Sequence, residues 1–104
     1  MNSDEMMIII TDGTWFNPET KDICTFRWSD SDQSINIEYL NGDKAGRKKS
    51  HQLVKLYQSH ESLKNCTVLR YQSNLFTTEF KLCTEKGPLS VTSNVFGKMD
   101  LVRK

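Results

Sequence analysis

The sequence predicts an α+β domain, a mainly antiparallel sheet of about five to seven short strands with one central helix (about 50–63) packed on one face. Three observations carry that expectation. Apolar side chains recur at every second residue in several runs bounded by Gly, Asn, Asp and Ser. One stretch repeats instead at the spacing of a helix. The connections between runs are too short for parallel crossovers.

Met6-Met7-Ile8-Ile9-Ile10 is a short apolar run, and Asp12-Gly13 behind it tolerates the positive φ of a tight turn, so the two read as a strand and a hairpin. Trp15 and Phe16 open the return strand, and Pro18, without an amide hydrogen, ends pairing or confines it to an edge. Ile23 to Ser29 alternates cleanly, with Cys24, Phe26 and Trp28 on one face. The polar stretch 30–34 has the length of a hairpin loop, beyond which Ile35, Ile37 and Tyr39 repeat the period of two until Asn41-Gly42 turns the chain.

Residues 43–65 break that rhythm. Ser50 suits a helix N-cap, and Leu53, Leu56, Tyr57, His60 and Leu63 follow at the offsets of an amphipathic helix. A strand here would separate polar from apolar side chains badly. After Asn65 the alternation returns, with Thr67, Leu69 and Tyr71 on one strand, a turn at Gln72-Ser73-Asn74, and Phe76, Thr78, Phe80 and Leu82 on the next. Glu85-Lys86-Gly87-Pro88 turns the chain again, Leu89 and Val91 begin a last strand, and a basic tail beyond Gly97 is expected to fray.

The expected core is Ile8, Ile10, Trp15, Phe26, Trp28, Ile35, Ile37, Leu53, Leu56, Leu69, Tyr71, Phe76, Phe80 and Leu82. At about 1.5–3 kcal/mol per buried large side chain this offsets the chain entropy with little to spare, so contacts with a partner or in a homodimer would add stability. A length of 104 residues, 37% hydrophobic and 10% aromatic, is that of one small folded domain spanning 1–104. No run reaches the roughly 20 apolar residues of a membrane span, and the N-terminal apolar run follows Asp4 and Glu5 rather than a basic segment. Cys24, Cys66 and Cys83 are too widely spaced for a Cys-x-x-Cys pair and are expected as reduced thiols, which points to a cytoplasmic setting with no membrane association. The Asn65-Cys66-Thr67 sequon then counts as chance.

A net charge of +1 hides a division along the chain. Residues 1–43 hold nine acids and two bases, whereas 44–104 hold twelve bases and four acids. Such asymmetry points to a polyanion or an oppositely charged partner if the signs occupy separate faces, and to nothing more than local neutralisation if the two halves pair as strands.

The densest basic segment is Gly42-Asp43-Lys44-Ala45-Gly46-Arg47-Lys48-Lys49-Ser50, which leads into the expected helix start, where unpaired amides attract anions. It is not a Walker A loop, because Arg47-Lys48-Lys49 separates Gly46 from Ser50. Asp12-Gly13-Thr14 places a carboxylate behind an apolar run, but a phosphatase-type site needs a second Asp where this chain has Ile10. Asp30, Asp32 and Ser34 begin like a calcium loop, which then fails at Ile35 and Asn41. His51 and His60 are too far apart to share a helical face as metal ligands.

The expected function is therefore that of a small non-enzymatic module, without cofactor or metal, that binds DNA or RNA through phosphate contacts from Lys44, Arg47, Lys48, Lys49 and Lys55, with Arg70, Lys81 and Lys86 extending the patch. The alternative is a protein-binding regulator or inhibitor that docks through its acidic N-terminal half or an exposed sheet edge.

Overall fold

The computed structural model describes residues 1–31, 34–52, 57–63, 65–72 and 75–104. It contains one α-helix, α1 (Ser3–Thr11), followed by β1 (Trp15–Phe16), β2 (Ile23–Ser29), β3 (Ser34–Tyr39), β4 (Lys48–Gln52), β5 (Tyr57–Leu63), β6 (Cys66–Gln72), β7 (Thr77–Leu82), β8 (Leu89–Ser93) and β9 (Gly97–Arg103), with a 3-10 turn at Gly42–Lys44. All pairings are antiparallel, as expected, but the nine strands exceed the five to seven anticipated. The helix lies elsewhere than predicted.

Strand order is β4-β3-β2-β1-β9-β8-β7-β6-β5, so the two outermost strands are consecutive in sequence. Flat, such a sheet would hold them on the order of 38 Å apart at the usual strand spacing. The chain from Gln52 to Tyr57 can span no more than about 18 Å. The sheet must therefore curl. The rings of Phe26 on β2 and Phe80 on β7 show that it does: β1, β9 and β8 lie between those strands, yet the ring centroids are 5.6 Å apart, edge to face. The alternating antiparallel order also makes β4 and β5 run in the same direction. The result is a strongly curled, barrel-like antiparallel sheet whose edge strands are β4 and β5.

The inward positions follow the period of two. Cys24 and Phe26 on β2, Ile35, Ile37 and Tyr39 on β3, Leu69 and Tyr71 on β6, Phe80 and Leu82 on β7, Leu89 and Val91 on β8, and Met99 and Leu101 on β9 join Trp15 in one core. Of the expected core, Ile8 and Phe76 are instead exposed, Trp28 is half-buried, and Leu53 and Leu56 lie outside the described residues.

Two local expectations are overturned. Met6–Ile10 is helical, not extended: the Asn2 side chain caps the helix, accepting from the Glu5 amide at 2.8 Å and donating to the Glu5 carboxylate at 2.7 Å. Asp12-Gly13 is then a helix stop rather than a hairpin, with Asp12 as C-cap and Gly13 at φ +66. The expected helix at 50–63 is replaced by β4 and β5, held by cross-strand registers such as His51 with Ile35 and His60 with Leu69. Extended pairing along β3 and β6 here overrides the helical spacing of the apolar residues. The basic tail does not fray, because Gly97–Arg103 is the strand that pairs with both β8 and β1.

Two covalent or polar ties complete the fold. Cys66 and Cys83, at the open end of the β6–β7 hairpin, form a disulfide, which corrects the expectation of three reduced thiols. Arg103 lies 4.0 Å over the Trp15 ring and donates to the carbonyls of Ile9 and Asp12 at the helix C-terminus, the first of which also accepts from the Asp12 amide at 3.3 Å. Arg103→Met should remove both bonds and lower stability by about 2 kcal/mol, seen as a fall in Tm of several degrees. Because the disulfide joins residues 17 apart in sequence, Cys66→Ser/Cys83→Ser should cost about 3 kcal/mol in urea unfolding, with little change in the far-UV spectrum.

Candidate nucleic-acid interface

The segment 42–49 does not lead into a helix N-terminus. It forms a 3-10 turn and then enters β4, so the helix-dipole part of the expected anion site is absent. What organises the segment is backbone pairing: Tyr39 donates to the Arg47 carbonyl at 3.0 Å, and Gly46 donates to the Tyr39 carbonyl at 2.8 Å. Gly46 has φ +82, a conformation that suits glycine, and this lets the loop fold back on the end of β3.

Asn41 ties this loop to its neighbour, residues 17–22. Its side-chain oxygen accepts from Ile23 at 2.7 Å while its amide donates to the Lys21 carbonyl at 3.0 Å. Lys21 is held with φ +67, outside the usual range for a residue with a side chain, by that bond and by its own amide donating to Asn17 at 2.7 Å. The consequence lies at its far end. The Lys21 ammonium stands 5.9 Å from the centre of the half-buried Phe16 ring, and the Lys104 ammonium stands 5.2 Å from the same ring. Between the two loops is a polar cleft of about 390 Å³ bounded by Thr20, Asp22, Asp43 and Lys44 among others.

The predicted cations separate into three groups. Lys44 pairs with Asp22 at 3.1 Å and lies 5.1 Å over the Tyr39 ring, while Lys48 faces Glu38 at 3.9 Å. Both pairs join an acid of the first half to a base of the second, so local neutralisation between neighbouring segments is realised at these positions. The Lys48–Glu38 pair is the more solvated and worth only about 0.2–1 kcal/mol, which a phosphate could displace, whereas the Asp22 side of the other pair is largely buried. Arg47 and Lys49 are exposed and have no carboxylate partner among the described residues.

Arg70 is bound to Glu79 at 2.7 Å across β6 and β7, Lys81 is exposed on β7, and Lys86 is exposed in the β7–β8 turn. No described contact joins these three to the 42–49 loop. Lys55 lies outside the described residues. Sequence reasoning missed Lys21, Lys104 and Phe16, because Lys21 sits in an acidic stretch and Lys104 was assigned to a fraying tail. The signal available was the short β1 strand, whose outward residue must be Phe16 if Trp15 is core.

No protein-family model, curated protein or solved structure matches the chain. The reading of the surface therefore rests on its geometry.

Cys24 is the one free thiol among the described cysteines and is buried. Burial, with the Asp22 carboxylate adding to it, pushes the thiol up to about 12. A thiol held neutral is a poor nucleophile. Cys24 should resist alkylation in the native protein at pH 8 and react once the chain is unfolded. The same shift makes its contribution to stability complete below the thiol's ordinary value of 9.0 and progressively lost as pH rises from there to about 12, because the unfolded thiol ionises first.

Proposed function

We propose that the chain is a non-enzymatic module that binds nucleic acid through the surface around Phe16, which loop 17–22 and the Lys104 side chain flank, with loop 40–47 as its neighbour. The observation that supports this most is the approach of the Lys21 and Lys104 ammonium groups to the Phe16 ring; Arg47 and Lys49, exposed at the β4 side of the sheet, add further cations. Each cation–π contact contributes only about 0.5–1 kcal/mol at an exposed site, so both ammonium groups can turn to phosphates while the ring offers a face to a base. Arg70 leaves the expected interface, because Glu79 holds its guanidinium. No helix among the described residues is long and apolar enough to cross a membrane, and the Cys66–Cys83 disulfide removes the thiol argument for a cytoplasmic setting.

The test is fluorescence anisotropy with labelled single- and double-stranded DNA and RNA. Binding should weaken steeply between about 50 and 200 mM salt, as phosphate contacts demand. Arg47→Glu/Lys49→Glu and Lys21→Ala/Lys104→Ala should each lose about tenfold or more in affinity, whereas Lys81→Glu should bind like the parent. Absence of binding to all four polymers at low salt would overturn the proposal and direct attention to protein partners at the β4 and β5 edges.

A further inference from the structure

A second cavity, of about 270 Å³, lies between the first turn of α1 and the barrel, lined by Ser3, Asp4, Met7, Trp28 and Tyr71. Trp28 is near the opposite end of β2 from Ile23, so this cavity is separate from the basic end. Two features set it apart from an ordinary surface recess. Tyr71 is only 2% exposed, packed edge-on against Phe80, yet its hydroxyl has no hydrogen-bond partner among the described residues. Buried polar groups are nearly always paired, and an unpaired one on a cavity wall points to a missing partner. The cavity's lining is also one-sided in charge, with the Asp4 carboxylate and no base among the described lining residues.

We propose that this cavity binds a small organic ammonium ion, an aryl or alkyl amine with a short tail. An ammonium group has three N–H donors and no acceptor, and here it meets a carboxylate and two hydroxyl oxygens, those of Ser3 and Tyr71. The apolar part lies against Trp28 and Met7, where the indole face also favours the charge. The indole N–H is already bound to Asp30 at 2.7 Å, so it makes no demand on the ligand. The volume sits just below the usual range for drug-sized ligands, which selects one ring and a short tail. Anions are disfavoured by Asp4. The site is independent of the nucleic-acid reading and extends beyond it.

Phenethylamine is the probe, titrated into the whole chain by calorimetry and by emission from Trp28. Saturable one-to-one binding at about millimolar affinity or tighter is expected, with phenylacetate not binding. Asp4→Asn and Tyr71→Phe should each weaken binding about tenfold. Asp4 is exposed, so its variant leaves the fold intact. The phenylalanine ring keeps the Tyr71 packing and should leave Tm unchanged or raised, because the hydroxyl it removes has no partner. The proposal is overturned if phenethylamine fails to saturate, if phenylacetate binds equally well, or if the Asp4 variant binds like the parent. Nucleic-acid affinity should be the same in both variants, so loss of one activity is readable without the other.

Discussion

A two-residue strand holds the two parts of this sheet together. β1 pairs with β2 on one side and with β9 on the other, and without it the order would part into β4-β3-β2 and β9-β8-β7-β6-β5. So short a ladder supplies few hydrogen bonds, and the burden falls on Trp15. Its ring is fully buried, its indole N–H reaches the Ile10 carbonyl at 2.9 Å, and Arg103 covers its face. The β7–β8 turn closes on the same ring: a Cβ at Gly87, where φ is +93, would lie 3.3 Å from Trp15 and 3.1 Å from the Leu101 carbonyl oxygen. Helix, first strand, last strand and turn are thus fixed on one side chain.

That junction also decides where charge can collect. β3 lies beside β4, and loop 17–22 beside loop 40–47, so Glu38 meets Lys48 and Asp22 meets Lys44. Part of the division between an acidic first half and a basic second half is cancelled there by pairing. Bringing the end of β9 against β1 has the opposite effect, setting Lys104 beside Lys21 over one aromatic ring. The basic site favoured here is a product of topology more than of the basic run that drew attention in the sequence.

The residues that were legible are those whose two faces differ. β2, β3, β6 and β7 each alternate apolar and polar side chains, and each lies within a residue or two of its expected place. β4 carries no such signal. Lys48 to Gln52 are all polar, so its extended form depends on the partner strand β3, whose register no local pattern reveals. The run Met6 to Ile10 failed for a different reason: five consecutive apolar residues fit a buried strand and a helix equally well. The arbiter was Asn2 with Glu5 three residues on, a capping pair readable in the sequence. Phe16 and Lys104 became visible as a pair only once the two ends of the chain were known to be neighbours.

The placement of α1 explains why room is left at one point of the wall. A barrel-like sheet of this size either fills its interior with side chains or keeps a ligand space. Here Met6 and Ile10, one helical turn apart, are fully buried in the barrel core, while Ile8 on the far side is 67% exposed. Arg103 and Trp15 fasten the C-terminal end of the helix to β9 and β1. The start of the helix is tied by a longer bond, Thr67 donating to the Met1 carbonyl at 3.4 Å, and the residues of the helix that line the gap beside Trp28 and Tyr71 are Ser3, Asp4 and Met7. A helix pinned chiefly at its C-terminal end thus leaves its other end to form a small cavity with a carboxylate at its mouth.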